Sequence, residues 1–348
     1  MIYISLIRMD IGTIVQPKFF NDVTSPTEVI EYQNNLIQYF KHIGMLAFGQ
    51  MPFIAKIGPD PDKDYDWRNI DCLLEFAEKH DIQVHYNTVI NSHKNSFPDW
   101  YYGLSGSKKK KALEHHIKAV IGRYKGRIEF YKLVNESNPY EEDNFLGTAD
   151  TKTDLIVQMF AWAKEVHPEG EFIINDHFPF LRGDEIRTKF IDLVKRIREK
   201  GGQIDAIGIE GHLGYRPIPF QIPSDDDFDT TIEDVYNSTG LPIYVTEFDI
   251  SFNNAPVNPY PGSVIDPNNS FVVNRVRYAN WFHYQAYAYK HFYELCKKKR
   301  FIEGLYFWGF TDKDWYKWER PGVGFFDESF NSKHVFNEMQ EILIAHTK

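Results

Sequence analysis

The sequence alternates short apolar runs with longer stretches whose apolar residues recur at helical spacing. The apolar runs are predicted strands: Gly12–Val15, Gly44–Gly49, Gln83–Asn87, Ile128–Asn135, Glu171–Asp176, Ala206–His212, Pro242–Phe248 and Gly304–Trp308. Each is followed by a predicted helix: Val29–Phe40, Asn69–Ala77, Ala112–Tyr124, Thr153–Val166, Ile186–Arg198, Ile232–Tyr236, Val272–Leu295 and Val335–Leu343. Continuous apolar runs are typical of parallel strands covered on both faces. Eight such units close most naturally into a (β/α)8 TIM barrel, which we predict as a single α/β domain over residues 1–348.

An open doubly wound sheet is the alternative fold for this pattern. It would favour a glycine-rich phosphate loop after an early strand, and the sequence contains none. Two proline-rich stretches, Gly214–Thr230 and Phe252–Ser270, interrupt the pattern after the sixth and seventh strands. Because loops that follow barrel strands lie on the catalytic face, we predict that both shape a cleft.

Composition excludes several classes of partner. The net charge of −10 disfavours nucleic acid. Two cysteines, Cys72 and Cys296, are too few for a disulfide framework or a cysteine-based zinc site, and whether they pair is left open. Met1–Asp10 lacks a basic start and a cleavage site, and no later stretch reaches the roughly 20 apolar residues of a membrane span. We therefore predict a soluble monomer, secreted or periplasmic if a signal was removed and cytoplasmic otherwise.

Carboxylates stand at the ends of two predicted strands that face each other across a barrel. The fourth strand ends in Asn135-Glu136 and the seventh in Thr246-Glu247-Phe248-Asp249. A buried carboxylate costs desolvation energy, so it needs a partner or a task. Glycosidic cleavage with retention uses two carboxyl groups about 5–5.5 Å apart, one as acid and one as nucleophile. The aromatic content of 16% suits stacking on sugar rings. We therefore predict a retaining β-glycosidase.

Several motifs in order along the chain resemble glycoside hydrolase family ten, the barrel xylanases. Val134-Asn135-Glu136 and Val245-Thr246-Glu247-Phe248-Asp249 are similar to that family's Asn-Glu and Thr-Glu-Leu-Asp strands. The other matching segments are Asn175-Asp176, Ile207–Leu213, Phe307–Lys313, and Phe326-Asp327-Glu328 with Lys333. The resemblance runs nearly the whole length and implies an endo-β-1,4-xylanase-like enzyme without a cofactor or metal.

The resemblance also implies roles for individual side chains. Glu136 is expected to be the acid/base and Glu247 the nucleophile. Asn135 is expected to hydrogen-bond the 2-hydroxyl of the sugar, and His212, with Asp249 behind it, to keep Glu247 anionic. Further residues expected to bind substrate or support the site are Lys56, Asn87, Asn175, Glu210, Trp308 and Trp315.

The sequence departs from the family where substrate is bound. After the second strand the family has Glu-Asn before a lysine, and here Pro52-Phe53 precede Lys56. On the third strand the family's His and Trp are replaced by Asn87 and Asn91. On the sixth strand the family's Gln is replaced by Glu210, which adds a charge near the nucleophile, and Trp315 and Trp318 lie out of register with the family's second Trp. These losses weaken discrimination for xylose, so a different or decorated β-linked oligo- or polysaccharide is the alternative substrate.

Two other functions remain as alternatives. A metal hydrolase on this fold would require His-x-His on the first strand, and Gly12–Val15 contains no histidine. A carbohydrate-binding barrel without catalysis is disfavoured because both Glu136 and Glu247 are present.

Overall fold

The computed structural model describes residues 9–21, 25–46, 49–93, 96–137, 149–177, 180, 183–213, 222–251, 271–273, 276–314 and 322–347. Eight parallel strands close into a barrel: β1 (Asp10–Val15), β2 (His42–Met45), β3 (Gln83–Asn91), β4 (Phe130–Asn135), β5 (Glu171–His177), β6 (Ala206–Leu213), β7 (Ile243–Ile250) and β10 (Ile302–Phe307). Their order around the barrel is β1-β10-β7-β6-β5-β4-β3-β2. The predicted (β/α)8 barrel is therefore confirmed.

Helices surround this barrel: α1 (Pro26–Tyr39), α2 (Met51–Ile54), α3 (Arg68–Lys79), α4 (Asp99–Tyr102), α5 (Gly106–Tyr124), α6 (Ala149–Val166), α7 (Glu185–Glu199), α8 (Asp225–Thr239), α9 (Trp281–Lys297) and α10 (His334–Ala345). Every residue of β4, β6 and β7 is buried, because helices cover the outside of the barrel and side chains fill its inside. In the described part of the chain no helix is both long and apolar enough to cross a membrane.

Two sequence predictions about the helices are wrong in part. The predicted helix Val272–Leu295 begins only at Trp281, where the Asn280 side chain accepts from the amide of His283. The preceding residues form an antiparallel pair, β8 (Phe271–Val273) and β9 (Val276–Tyr278). The predicted loop Gly214–Thr230 is helical from Asp225, because the Ser224 hydroxyl caps α8 and acidic residues are favourable in a first turn.

Other predictions concern bounds and loops. The second strand runs His42–Met45 and not Gly44–Gly49, and the third extends past Asn87 to Asn91. Phe252–Ser270 and residues 214–221 lie outside the described residues, so their place at the cleft stays a prediction. Cys72 and Cys296 do not form a disulfide with each other.

The barrel interior changes character from one end to the other. Towards the amino ends of the strands it is apolar and aromatic, filled by Phe130, Ile173, Ala206, Tyr244 and Tyr306. Gly12 leaves the space for one of these rings, since a Cβ at Gly12 would lie 2.2 Å from the Tyr306 ring. Towards the carboxyl ends the interior is polar, and this is the end where catalytic groups of such barrels gather.

Candidate active site

Glu247 on β7 is a buried carboxylate held on both oxygens. Lys132 on β4 donates from Nζ to Oε1, and His212 Nε2 on β6 lies 3.0 Å from Oε2. His212 Nδ1 lies 3.0 Å from Asp249 Oδ1, which orients the imidazole. Burial opposes the charge of Glu247, but Lys132 and then His212 outweigh it and lower its pKa to about 2. These contacts favour the ionised form of Glu247, which is the form that a carboxylate nucleophile requires.

Glu136 follows β4 in a left-handed backbone conformation, with φ of 52°. A non-glycine residue in that region costs about 1–3 kcal/mol unless its surroundings hold it there. Two bonds do so: the Glu136 amide donates to the Asn175 carbonyl at 2.9 Å, and the Ser92 hydroxyl donates to the Glu136 carbonyl. The side chain is 24% exposed, in contrast to that of Glu247 at 7%.

Three side chains meet Glu136 on the same oxygen, Oε2. His93 Nε2 lies 2.8 Å away, and the side-chain amides of Asn135 and Asn91 donate at 3.2 and 3.4 Å. All three of these contacts are to Oε2, so among the described residues they leave the other oxygen, Oε1, without a contact from these side chains. A carboxyl group with one oxygen anchored and the other presented suits general acid/base catalysis.

Asn175 on β5 joins the two halves of the site. Its amide donates to Asn135 Oδ1 at 2.6 Å and to Glu210 Oε1 at 3.0 Å, while its own oxygen accepts from the Thr246 hydroxyl at 2.6 Å. Gly208 makes room for it, because a Cβ there would lie 2.3 Å from Asn175 Oδ1. This network fixes the β4 and β7 sides of the site relative to each other.

Glu210 on β6 is the third buried carboxyl group of the site. It is the register partner of Glu247 on β7, and only 5% of it is exposed. Burial, followed by repulsion from Glu247 and Glu136, raises its pKa well above the usual value. The surroundings therefore favour the charge of Glu247 and oppose that of its neighbour Glu210, a divergence that is typical of catalytic centres.

Comparison with known proteins identifies the family. The profile of Glycosyl hydrolase family 10 matches residues 10–342. The chain belongs to this family. Endo-1,4-beta-xylanase B of Thermotoga neapolitana is 31% identical over 292 residues, 80% of this chain and 75% of that protein. Beta-1,4-xylanase of Dictyoglomus thermophilum is 30% identical over 327 residues, 90% of this chain and 85% of that protein.

A solved structure gives the same fold. Xylanase 10B from Thermotoga petrophila RKU-1 in complex with xylobiose superposes with a TM-score of 0.77 at 23% identity, covering 98% of this chain and 96% of that one. The resemblance drawn from the motifs is confirmed by the family match. This family 10 member is a retaining glycoside hydrolase.

The other residues that we expected to bind substrate or support the site lie at different places in this family 10 barrel. The Trp308 ring, just after β10, lies 5.3 Å from the His212 ring in an edge-to-face arrangement, at the nucleophile side. Asn87 is buried on β3 as the register partner of Lys132. Lys56 follows α2 and is exposed. Trp315 and Trp318 lie outside the described residues.

Asp312, in the matching segment Phe307–Lys313, links two segments that follow β10. Its carboxylate accepts from Lys333 Nζ at 3.0 Å and from the Gly324 amide at 2.8 Å. The motif at Phe307–Lys313 and the closing Lys333 are therefore joined in space. The ion pair between Asp312 and Lys333 holds the segment after β10 in place, which is a structural role.

Three residues near the carboxylates carry no role in the sequence prediction: Lys132, His93 and His177. Lys132 could have been noticed as a charge inside the apolar run Phe130–Val134, since a buried charge requires a partner. His93 lies just after the third strand, one residue beyond the position of the last His in the family's His-Thr-x-x-Trp-His motif. His177 ends β5, with Nδ1 3.6 Å from Glu210 Oε2.

One cluster in the described residues has the spacing of a metal site. Ligand atoms of Glu210, His212 and Glu247 lie within 4.8 Å of one another. The Lys132 ammonium group binds the same Glu247 carboxylate and supplies the positive charge that an ion would bring. A metal ion at this cluster would have to compete with Lys132 for the Glu247 carboxylate.

Proposed function

We propose that this chain is a retaining endo-β-1,4-xylanase-like enzyme with Glu247 as nucleophile and Glu136 as acid/base. The main observation that supports this proposal is the contrast between the surroundings of the two carboxyl groups. Glu247 is ionised and held on both oxygens, whereas Glu136 is anchored on one oxygen and partly open to the cleft. The relatives named as xylanases support β-1,4-xylan as the first substrate to test.

The reaction proceeds by double displacement. Glu247 attacks the anomeric carbon as its bond to the leaving oxygen breaks, and the proton of Glu136 passes to that oxygen. Water then attacks the anomeric carbon and gives a proton to Glu136, and the bond to Glu247 breaks. Asn135, which also binds Glu136 Oε2, is the side chain that we propose for the 2-hydroxyl of the same sugar. Two inversions return the original anomeric configuration.

Glu136→Ala and Glu247→Ala, assayed on aryl β-glycosides and xylan, test this assignment. We expect Glu247→Ala to lose turnover by about four orders of magnitude or more on every substrate. Glu136→Ala should lose kcat/KM mainly on substrates with poor leaving groups, because a good leaving group needs no proton, whereas its turnover should fall on every substrate, since Glu136 no longer activates the water of the second step. Glu165→Ala on the surface of α6 is the control. Turnover of either active-site variant at the level of this control contradicts the assignment.

Azide separates the two roles. In Glu136→Ala the glycosyl-enzyme can react with azide to give the β-glycosyl azide, whereas in Glu247→Ala azide replaces the nucleophile and gives the α-product. Proton NMR of the products distinguishes the two anomers. The opposite pattern would exchange the roles of the two glutamates.

A decorated or different β-glycan is the second candidate substrate, because of the surface after β2. Phe53, which replaces a polar residue of the family pattern, is 47% exposed, and Ile57 beyond Lys56 is 80% exposed. The Trp100 indole on α4 donates to the Ala55 carbonyl and so joins α4 to this surface. Such a surface favours ring stacking over hydroxyl recognition. Kinetics on plain xylan, substituted xylans, glucan and mannan decide between the two, and a higher kcat/KM on plain xylan contradicts the second candidate.

A further inference from the structure

Glu210 has no role in the double displacement, yet it lies between the two glutamates that do. Asn175 and His177 on β5 and Glu247 on β7 are beside it. The ionisable groups that face it from the packed strands are Lys132 and Glu136 of β4, Asp176 and His177 of β5, His212 of β6 and Glu247 of β7. The charges around Glu210 therefore decide whether its carboxyl group is ionised or neutral.

The cations nearest the nucleophile are already paired. Lys132 binds Glu247, and His212 lies between Glu247 and Asp249 at 3.0 Å from each. An imidazole can donate to two carboxylates only with a proton on each nitrogen. In that form Lys132 and His212 balance Glu247 and Asp249. An ionised Glu210 would add a negative charge next to Glu247, in a buried site where such repulsion is strong.

Hydrogen bonding indicates which oxygen of Glu210 carries a proton. The Asn175 amide orientation is fixed, because its oxygen accepts from the Thr246 hydroxyl. Its NH2 group therefore faces Glu210 Oε1, which accepts at 3.0 Å. The proton belongs on Oε2, which is 3.6 Å from His177 Nδ1 and 3.9 Å from His212 Nε2. That oxygen lies on the side of the nucleophile.

We propose that Glu210 works as a neutral carboxylic acid beside the nucleophile, and that loss of its proton ends activity at alkaline pH. The inference rests on the proposed roles of Glu247 and Glu136. An ionised Glu210 competes with Glu247 for His212 and Lys132 and removes a hydrogen-bond donor from the sugar side of the site. The high pKa that burial, Glu247 and Glu136 give Glu210 agrees with this state at neutral pH.

Glu210→Gln tests the proposal, because glutamine keeps the shape and a donor but cannot ionise. In a plot of kcat/KM against pH, we expect the alkaline limb of Glu210→Gln to lie about one pH unit or more above that of the wild type. The maximum value of kcat/KM should change little. Glu171→Gln, a half-buried carboxyl on β5 outside the site, is the matched control and should leave the limb where it is. An alkaline limb of Glu210→Gln that coincides with the wild type overturns the proposal.

Infrared spectroscopy supplies a readout that needs no substrate. At neutral pH the carbonyl band of protonated carboxylic acids should contain a component in the wild type that Glu210→Gln lacks and that Glu199→Gln, at the exposed end of α7, retains. An unchanged band in Glu210→Gln overturns the neutral state of Glu210 directly. Because this measurement does not depend on turnover, it still applies if the assignment of Glu136 and Glu247 fails, and the two failures are distinguishable.

Discussion

Lys132 and Glu247 form a buried ion pair that crosses the barrel from β4 to β7, with side-chain exposures of 2% and 7%. Removing charges from water is costly, and their attraction compensates only when the geometry is good. Here the carboxylate is also bound by His212, so the pair belongs to a fuller network. Lys132 therefore stabilises the ionised state that the proposed role of Glu247 as nucleophile requires.

Lys132→Met is expected to destabilise the fold and to shift the acid limb of activity. Loss of one partner leaves a buried charge, and we expect the free energy of unfolding to fall by about 3 kcal/mol in urea titrations. Without Lys132 the pKa of Glu247 rises, so the acid limb of kcat/KM should move to higher pH. An acid limb at the wild-type position contradicts this role.

A double variant controls for a general packing defect. Lys132→Met with Glu247→Gln removes both charges, so it should recover most of the lost stability although it is inactive. Equal stability of the single and double variants would show that Lys132 matters for packing and not for charge.

His93→Ala is expected to affect proton donation and not nucleophilic attack. His93 Nε2 lies 2.8 Å from Glu136 Oε2, so its loss removes the shortest of the three contacts that anchor this oxygen of the proposed acid. We expect kcat/KM to fall about tenfold for aryl glycosides with poor leaving groups and to change little for activated ones. A Brønsted plot over a series of phenols measures this, and parallel plots for variant and wild type contradict the role. His283→Ala, an exposed histidine at the start of α9, is the control.

Much of the barrel was predictable from the sequence, because parallel strands buried on both faces leave a strong signal. The strands β6 and β7 begin with apolar runs, Ala206–Ile209 and Ile243–Val245, and Glu136 follows the mostly apolar β4, so the carboxylates after these runs were conspicuous. The segment before α9 was not predictable, since Val272, Val276 and neighbouring residues satisfy helical spacing as well as a short hairpin.

The role of Lys132 could not be predicted because its partner lies 115 residues further along the chain. Only the closure of the barrel brings β4 and β7 close enough for the two side chains to meet. The contact between His93 and Glu136 depends likewise on the left-handed backbone at Glu136, which no local pattern indicates. Such pairs are a property of the tertiary structure and not of motif spacing.

Asp249→Asn is expected to reduce activity through His212. Asp249 accepts from His212 Nδ1 at 3.0 Å and so orients the other nitrogen toward Glu247. Residues that orient a catalytic group in this way typically contribute about 10–100-fold. We expect such a loss in kcat with little change in KM, and His212→Asn combined with Asp249→Asn should lose no more than His212→Asn alone. Additive losses in steady-state kinetics would contradict action through His212.

Glu171 at the amino end of β5 is expected to make the fold less stable as pH rises. Burial, followed by repulsion from Glu303, raises the pKa of Glu171 to about 7. The charges of Asp205 and Asp10 also raise this pKa, whereas a hydrogen bond with Tyr244 lowers it. An unfolded glutamate has a pKa of about 4.3. The folded pKa is the higher one, so the stability contributed by the neutral form is complete below the unfolded value and is lost as pH rises through about 7.

Glu171→Gln should therefore raise the stability at pH values above that range and leave it nearly unchanged in acid. We expect a gain of about 1–2 kcal/mol, reduced from the full linkage value because the group is only partly buried. Urea unfolding of both proteins across the pH range measures the difference, with Glu199→Gln on the exposed end of α7 as the control. A difference that is constant with pH would mean that Glu171 titrates normally in the folded protein.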